Sequence, residues 1–400
     1  MIAARSLLTH WPLLLFVIVA SAPKAMAEDW HSELDLRYRL ERVAQEGFER
    51  DATASTLRAR LEIGTPSWRG VDGLMGFHLN RVMGERRFND TTGNGDYPVV
   101  ADPADTGLAQ SWIRYRADEM PFEAIAGRQR LVLDDARFLG NVGFRQLEQT
   151  YDAIRTRFEP REDWAVDLIH IDRAHRIFGP NHPDSEMANT ALNARVASVA
   201  REMEDHRVSA YVHRFGNEEQ RAASFANEGI RLEGPVGPLE YLAEFAQQSG
   251  HRGGGPAESQ DYVHFRFSGE IDDWSWHAGH ERLGGDGEDA FQTPFATLHA
   301  FNGWSDRFLN TPAAGLQDTY AGVQPPLPGN WNLTARVHDF RADAESQTFG
   351  QELNLVLARP LTAGWQMEVK AAHYQARDLG EDTTKLWLTL ANRWQGPAMQ

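Results

Sequence analysis

Residues 127–146 read GRQRLVLDDARFLGNVGFRQ, and three Arg-x-Arg pairs lie in and around this stretch. The pairs are Arg114 and Arg116, Arg128 and Arg130, and Arg155 and Arg157. In a β-strand, residues i and i+2 share a face, so each pair places two guanidinium groups on one side of a strand. The other side carries apolar residues such as Ile113, Tyr115 and Ile154. A membrane β-barrel with a water-filled interior accommodates such strands, because its wall has one wet face and one apolar face.

The same two-residue alternation recurs along the chain in windows of about ten residues, which is typical of transmembrane barrels. Aliphatic and polar residues alternate over 34–41, 57–63, 331–338 and 365–370. The charged positions of the two earliest windows are Asp35, Arg37, Arg39, Glu41, Arg58, Arg60 and Glu62. The pattern predicts an all-β fold, an antiparallel up-and-down transmembrane barrel.

We predict about eighteen strands, an even number that brings both termini to one side, as bacterial barrels require. Their approximate positions are 31–42, 55–64, 73–83, 109–117, 122–130, 145–158, 164–172, 190–200, 206–215, 221–233, 237–247, 260–269, 272–283, 316–323, 329–340, 348–358, 363–374 and 384–394. One helix-like stretch, 217–227, is interpreted as a loop followed by the start of a strand.

Short turns alternate with long polar loops between these strands, as expected for short periplasmic turns and long extracellular loops. Two long loops, 131–144 and 284–315, contain aromatic residues and flexible glycines. Loops of this length in a compact fold are usually functional or disordered, and aromatic content argues against disorder. We expect at least one of them to fold inward and narrow the pore; the alternative is that both cap the outside. The candidate constriction residues are Asp134, Asp135, Arg137, Asn141, Trp304, Asp306 and Arg307.

Residues 1–27 have the three parts of an export signal. Arg5 gives a positive start, residues 13–20 are apolar, and Ala25-Met26-Ala27 has the form of a cleavage site. The apolar run is shorter than the roughly 20 residues of a spanning helix. We predict a cleaved signal peptide, with an uncleaved interfacial anchor as the alternative, and one barrel domain over 28–400.

Composition excludes several classes of protein. The 400 residues contain no cysteine, which excludes a disulfide framework and thiolate metal sites in an exported chain. Loss of Arg5 and Lys24 with the signal takes the net charge from −17 to −19, and so acidic a chain is a poor candidate for binding nucleic acid. Beyond residue 27 the only lysines are Lys370 and Lys385, so nearly all positive charge is arginine, to which genomic base bias can contribute.

The arginines of the early strands suggest pore chemistry. The candidates for lining the lumen are Arg37, Arg39, Arg58, Arg60, Arg114, Arg116, Arg128, Arg130, Arg155 and Arg157. Arginine stays charged at physiological pH and pairs with a carboxylate through two hydrogen bonds, and arginine rings set anion preference in pores. The alternative is a ladder of salt bridges that stiffens the barrel wall, with carboxylates such as Asp35 and Glu62 as partners.

Other constellations give weaker signals. His277 and His280 have no evident third ligand, and residues 286–289 are better explained as a solvated loop than as a Ca²⁺ site, so we predict no metal and no cofactor. An outer-membrane phospholipase would need a Ser/His pair, and no Gly-x-Ser-x-Gly sequence is present. We therefore predict a protein that is not an enzyme.

Three segments resemble the alginate export family of outer-membrane porins. They are GRQRLVLDDARFLGNVGFRQLEQ at 127–149, FNGWSDRFLNTPAAGLQDTY at 301–320, and DTTKLWL at 382–388. The resemblance implies an eighteen-stranded barrel in the bacterial outer membrane, with an electropositive constriction that conducts an anionic polysaccharide. The final strand, ending in the aromatic Trp394, resembles the signal that the barrel assembly machinery reads, although Gln395–Gln400 follow it.

These features together predict an outer-membrane channel, embedded in lipid, for passive diffusion or export of anionic solutes. Alginate and other uronates are candidate solutes. The main alternative is a general-diffusion porin without anion preference.

Overall fold

The computed structural model describes residues 30–397, so the predicted signal peptide lies outside the described residues. Eighteen antiparallel strands form one sheet. They are β1 (His31–Gln45), β2 (Ala52–Gly64), β3 (Val71–Val82), β4 (Asp105–Arg116), β5 (Phe122–Gln129), β6 (Thr150–Arg161), β7 (Trp164–His175), β8 (Asn189–Met203), β9 (His206–Asn217), β10 (Phe225–Val236), β11 (Leu239–Gly250), β12 (Gln260–Ile271), β13 (Trp274–Leu283), β14 (Leu316–Gln324), β15 (Asn332–Arg341), β16 (Thr348–Pro360), β17 (Gln366–Ala376) and β18 (Thr383–Pro397).

Helical structure is limited to short turns in the described part of the chain. One α-helical turn, α1 (Ser185–Ala188), precedes β8, and 3₁₀ turns occupy Arg221–Ala223, Leu298–Ala300 and Thr362–Gly364. The helix-like stretch 217–227 therefore is a loop with one 3₁₀ turn followed by the start of β10, as predicted. Within residues 30–397, no helix is both long enough and apolar enough to cross a membrane.

Each strand pairs with its neighbours in sequence, and β1 pairs with β18 to close the sheet into a barrel. The closing ladder runs from His31 opposite Pro397 to Gln45 opposite Thr383. Closure satisfies the backbone hydrogen-bonding groups that an open sheet edge would leave unpaired. The predicted fold class, an eighteen-stranded up-and-down barrel, is confirmed.

The two ends of the barrel differ in the length of their connections. The end that carries both termini has short connections, and the opposite end has the long ones, including 83–104, 130–149 and 284–315. The shortest connections are two-residue turns; in the one between β12 and β13, Asp272 and Asp273 both have positive φ, at 48° and 67°. Two successive positive φ values define the type I′ turn, whose twist matches that of the flanking strands.

The two faces of the wall differ in polarity. One face exposes large apolar side chains, among them Leu168, Phe265 and Val337, each about half exposed or more (53%, 49% and 54%). The other face buries charged side chains such as Arg39 and Glu41 (2% and 0% exposed). Because loop segments contact the polar face on opposite sides of the barrel, this face is the interior.

Many strand ends lie a few residues from their predicted positions, and three of these differences change the interpretation of named residues. β5 ends at Gln129, so the prediction that Arg130 shares a strand face with Arg128 is wrong; Arg130 begins the following loop. That loop continues to residue 149, past the predicted Phe144, because the backbone amides of Gln146 and Gln149 donate to the Asp102 carboxylate (2.7 Å) and the Asn141 carbonyl (2.7 Å) instead of joining a ladder. β18 extends past Trp394 to Pro397, since it pairs with β1 as far as His31.

Candidate pore and constriction site

Two long loops fold into the barrel: loop A (residues 130–149, between β5 and β6) and loop B (residues 284–315, between β13 and β14). Loop A contacts both sides of the wall, since Gln146 accepts a hydrogen bond from Arg37 of β1 (2.9 Å) and Arg137 pairs with Glu281 of β13 (2.7 Å). The two loops also bond to each other, for example from the Gly140 amide to the Phe295 carbonyl (2.9 Å). A segment that reaches opposite walls crosses the lumen, so both loops fold inward. The sequence predicted that at least one of them would.

The arginines of β1 hold loop A against the wall. Arg37 donates to the carbonyls of Gly143 (3.0 Å) and Arg145, in addition to Gln146. Arg39 donates to the carbonyl of Phe144 and pairs with Asp102 (3.4 Å). These guanidinium groups satisfy loop carbonyls that would otherwise be buried without partners, so they fix the shape of the loop.

Glu148 of loop A is the centre of a second charged network. Its carboxylate pairs with Arg130 (2.8 Å) and Arg60 of β2 (3.4 Å), and it accepts from Asn141 (3.3 Å). Arg130 also pairs with Glu62. Burial raises the pKa of the Glu148 carboxyl, but Arg60 and Arg130 lower it further, and the net pKa is below its ordinary value. Glu148 therefore stays ionised at neutral pH and binds loop A to β2.

The tip of loop A is held on the opposite wall. Besides Glu281, Arg137 donates to Thr293 (3.2 Å) and Asn302 (3.1 Å) of loop B. Asp135 pairs with Arg231 of β10 (2.9 Å), and Asp134 lies 4.0 Å from Arg207 of β9.

Asp306 anchors loop B. Its carboxylate accepts from Lys385 of β18 (2.8 Å), Arg145 of loop A (3.0 Å) and Nδ1 of His299 (2.7 Å). Burial alone would raise the pKa of the Asp306 carboxyl, but His299, Lys385 and Arg145 hold it well below the ordinary value. Asp306 is therefore a buried anion that joins both loops to the final strand.

His299 links this anchor to β17. With its Nδ1 proton donated to Asp306, its Nε2 accepts from Lys370 Nζ (2.7 Å). Its ring stacks on Phe144, with 3.5 Å between ring centroids, and Lys370 lies 3.7 Å from the ring centroid of Trp304. Nearby, Arg307 pairs with Glu381 (2.8 Å). The predicted constriction residues thus all lie in the two loops that cross the lumen.

Most of the predicted pore arginines have carboxylate partners. Apart from those described above, the pairs are Arg58–Asp35, Arg114–Asp72 (2.8 Å), Arg116–Glu123 (2.9 Å), Arg128–Asp152 (3.0 Å), Arg155–Asp167 (2.7 Å) and Arg157–Glu159 (2.8 Å). Nine of the ten are ion-paired, and Arg37 bonds to loop oxygens instead. Paired charges contribute little field at a distance, because each guanidinium is neutralised locally.

A pocket of about 390 Å³ lies between the loops and the wall of β12–β15. Arg266 of β12 and Arg336 of β15 line it, and within residues 30–397 neither forms an ion pair with a carboxylate. Three carboxylates also line the pocket: Asp135 pairs with Arg231 (2.9 Å), Glu281 pairs with Arg137 (2.7 Å), and Asp318 accepts from His338 (2.9 Å). The pocket therefore carries uncompensated positive charge.

The search for Arg-x-Arg pairs missed these two arginines, because neither has another arginine two residues away. The two-residue alternation itself could have found them: in 264–268, His264, Arg266 and Ser268 share a face opposite two phenylalanines. His277, considered above as a metal ligand, instead accepts a hydrogen bond from Arg336 Nε (3.0 Å).

The barrel is similar to solved outer-membrane proteins over nearly its whole length. OccAB4 of Acinetobacter baumannii superposes with a TM-score of 0.69 at 9% identity, covering 94% of this chain and 100% of that one. The outer membrane protein OpdK of Pseudomonas aeruginosa gives 0.68 at 14% identity, covering 92% and 99%. OccK5 (OpdH) of P. aeruginosa gives 0.66 at 11% identity, covering 93% and 99%. At these identities the likeness establishes the fold.

A closed barrel of eighteen antiparallel strands with an apolar outer face belongs to the class of transmembrane β-barrels. The sequence profile of the Alginate export family matches residues 32–284, more than half of the chain, and the protein belongs to that family. The chain matches no curated protein sequence.

Proposed function

We propose that this porin passes anionic solutes, carboxylates above all, in preference to cations, and that it acts as a passive channel and not as an enzyme. The observation that supports the proposal is the pair of guanidinium groups, Arg266 and Arg336, that line the lumenal pocket without a carboxylate partner. A pore wall with unmatched arginines attracts anions and pairs well with carboxylates.

The charges around these two arginines support the same conclusion. The inward arginines of β1–β6 are largely neutralised by neighbouring carboxylates, so they add little to the field in the lumen. Of the three acidic residues of the pocket, Asp135 pairs with Arg231 (2.9 Å) and Glu281 with Arg137 (2.7 Å), so the two arginines outnumber the one remaining carboxylate, Asp318. The total charge of −17 does not decide passage, because the local potential acts on the solute.

Carboxylates are the solute class that fits best. The family is named for the export of alginate, and uronates carry a carboxylate on each ring. One structural relative, OpdK, has a structure with vanillate, which is also a carboxylate, at a TM-score of 0.66 and 14% identity. A guanidinium group binds a carboxylate by two parallel hydrogen bonds, which a simple halide cannot form.

The route to the membrane is also a proposal. We infer that residues 1–27 direct export and are cleaved, that the apolar outer face contacts lipid, and that the barrel assembly machinery reads β18. Aromatic residues at the short-turn end, such as Trp68 and Trp274 (59% and 47% exposed), suit the membrane interface.

The test is the reversal potential of the purified channel in planar lipid bilayers under a KCl gradient. We expect a sign that corresponds to chloride passing more readily than potassium. A reversal potential near zero would favour the alternative of a general-diffusion porin, and a cation-selective sign would overturn the proposal.

A further inference from the structure

We infer that the lumenal pocket is a binding site for one hydroxylated ring carboxylate, the size of a monosaccharide or a phenolic acid, and not for a polymer strand. The inference rests on the proposed function and names the solute of that same site. The inference depends on the residues at the two ends of the pocket and on those that form its floor.

The periplasmic end of the pocket presents free guanidinium donors. Arg336 uses its Nε to donate to His277 Nε2 (3.0 Å), and no partner within residues 30–397 takes its terminal nitrogens. No hydrogen bond or ion pair with another described residue engages Arg266. The two arginines come from β12 and β15 and line one pocket, so a carboxylate placed between them can receive donors from both sides.

The floor of the pocket is made of flat rings. The rings of His277 and Tyr320 lie across Gly322 and Gly279, where a Cβ would come within 2.3 Å of His277 Cε1 and 2.4 Å of the Tyr320 hydroxyl oxygen. Glycine is therefore required at both positions for the rings to lie close to the wall. The Tyr320 hydroxyl is fixed by His264 Nε2 (2.8 Å). Ring faces held in this way are suited to packing against a planar or chair-shaped ring.

The end of the pocket nearer the loops has polar atoms that lack partners. His338 is 4% exposed and donates from Nδ1 to Asp318 (2.9 Å), which leaves Nε2 as a buried acceptor without a partner. His264 is 3% exposed, and its Nδ1 is likewise unpartnered. A buried polar atom without a hydrogen bond costs about 1–3 kcal/mol. A hydroxyl group on the solute would satisfy His338 Nε2.

The size of the pocket favours a single ring. A volume of about 390 Å³ lies at the low end of the roughly 300–1,000 Å³ that small-molecule sites occupy. Asn302 of loop B closes the pocket toward the loops and is fixed by Glu281 (2.6 Å), Asp318 (3.3 Å) and Arg137 (3.1 Å). A polymer strand that extended through this pocket would have to break these bonds, whereas one ring fits beneath them.

The experiment measures block of single-channel current by added solute in planar bilayers. We expect saturable block by D-glucuronate, by 4-hydroxybenzoate, or by both; the one that saturates at the lower concentration identifies the ring chemistry. Glucose, which lacks the carboxylate, should give no saturable block. Benzoate, which lacks the hydroxyl, should bind more weakly than 4-hydroxybenzoate, and equal binding would overturn the role of His338.

Variants test the residues. The double substitution Arg266→Gln and Arg336→Gln should weaken block at least tenfold, and Arg336→Gln alone should weaken it less. The matched control is Arg359→Gln, since Arg359 lies over the Trp331 ring (5.1 Å to its centroid) in β16, away from the pocket. Should the double variant fail to assemble, Arg336→Gln alone carries the test, and thermal unfolding like that of the wild type shows that its barrel is intact.

Two outcomes would overturn this inference and leave the proposed function unaffected. One is an anion-selective channel that neither solute blocks, and the other is block by an oligouronate at a lower ring concentration than by the monomer. A cation-selective wild-type channel would instead overturn the proposed function itself.

Discussion

On the wall of β1–β6, eight of the predicted pore arginines lie against carboxylates; on the wall of β12–β15, Arg266 and Arg336 lie against none. The first wall receives loop A, whose carbonyls and Glu148 take up the guanidinium groups of Arg37, Arg39 and Arg60. On the second wall, Arg266 and Arg336 face the pocket between the wall and the loops. The same residue type thus holds a loop in place on one side of the lumen and stays available to a solute on the other.

The comparison shows why a count of inward arginines does not give selectivity. Truncating one member of a buried ion pair is strongly destabilising, because the other charge is left without compensation. An unpaired arginine that lines a water-filled pocket can be removed without leaving a carboxylate uncompensated. Substitutions on the wall of β1–β6 should therefore change loop anchoring and stability. Substitutions on the wall of β12–β15 should change the ion preference of the channel.

The largest effect is expected from Glu148→Gln. The substitution leaves Arg60 and Arg130 with one carboxylate fewer, and breaking a buried pair costs about 3–5 kcal/mol. We expect loop A to be released from β2, which should raise conductance and expose the loop to protease. Single-channel recording and limited proteolysis of the purified barrel measure both consequences.

Glu159→Gln is the matched control for this change. Glu159 pairs with Arg157 (2.8 Å) near the short-turn end, and both side chains are well exposed (46% and 39%). Exposed pairs contribute about 0–1 kcal/mol, so conductance should stay as in the wild type. If Glu148→Gln behaves like this control, Glu148 does not anchor the loop.

A smaller effect, confined to ion preference, is expected from Arg336→Gln. Losing one unpaired charge in a water-filled lumen should cost a passing anion about 1 kcal/mol. The ratio of anion to cation permeability should then fall roughly fivefold, with unchanged thermal stability of the barrel. Reversal potentials under a KCl gradient and thermal unfolding give the two quantities.

Arg155→Gln serves as its counterpart on the first wall, since Arg155 is paired with Asp167 (2.7 Å). Its loss leaves Asp167 with only the longer contact to Arg157 (3.5 Å) and should lower stability more than Arg336→Gln does. A larger loss of stability in Arg336→Gln than in Arg155→Gln would remove the distinction between the two walls.

The smallest expected effect is a pH dependence of loop B. Burial lowers the pKa of His299 well below its ordinary value, with Lys370 acting in the same direction and Asp306 opposing it. In a released loop the imidazole would titrate near about 6.5. The released state therefore binds more protons, and the packed state loses stability as pH falls below that value, by at most about 1.4 kcal/mol per pH unit.

We expect more frequent opening events in single-channel records at pH 5 than at pH 7. The groups that face His299 are Asp306, Lys370, Arg145 and the Phe144 ring; Asp306 stays ionised in this range because its own pKa is held well below the ordinary value. His299→Gln keeps a donor and an acceptor without a titratable proton, so it should flatten the pH response. A response that persists in this variant would assign it to another group.

The strands were predictable because alternation is a local property. Leu34 through Glu41 alternate in sequence, and the wall places Asp35, Arg39 and Glu41 on its buried polar face. Loop boundaries were less predictable. Arg130 and Arg145 continue an alternating pattern, yet both belong to loop A, because their backbone amides donate to the Gln110 side chain (3.1 Å) and to the Val142 carbonyl (3.1 Å) instead of to a neighbouring strand.

The partners of the arginines could not be predicted, because they are distant in sequence. Arg137 meets Glu281 across 144 residues, and Arg145 meets Asp306 across 161. The lone Arg266 and Arg336 have the same alternating context as the paired arginines, so nothing local marks them as different.

The sequence by itself determined an eighteen-stranded closed barrel, its two-faced wall, and the long loops at one end, because these follow from residue period and turn chemistry along neighbouring positions. Only the tertiary structure decided which arginines are paired with carboxylates and which remain accessible to a solute. That choice depends on contacts across the lumen between segments far apart in the chain, and no local pattern encodes them.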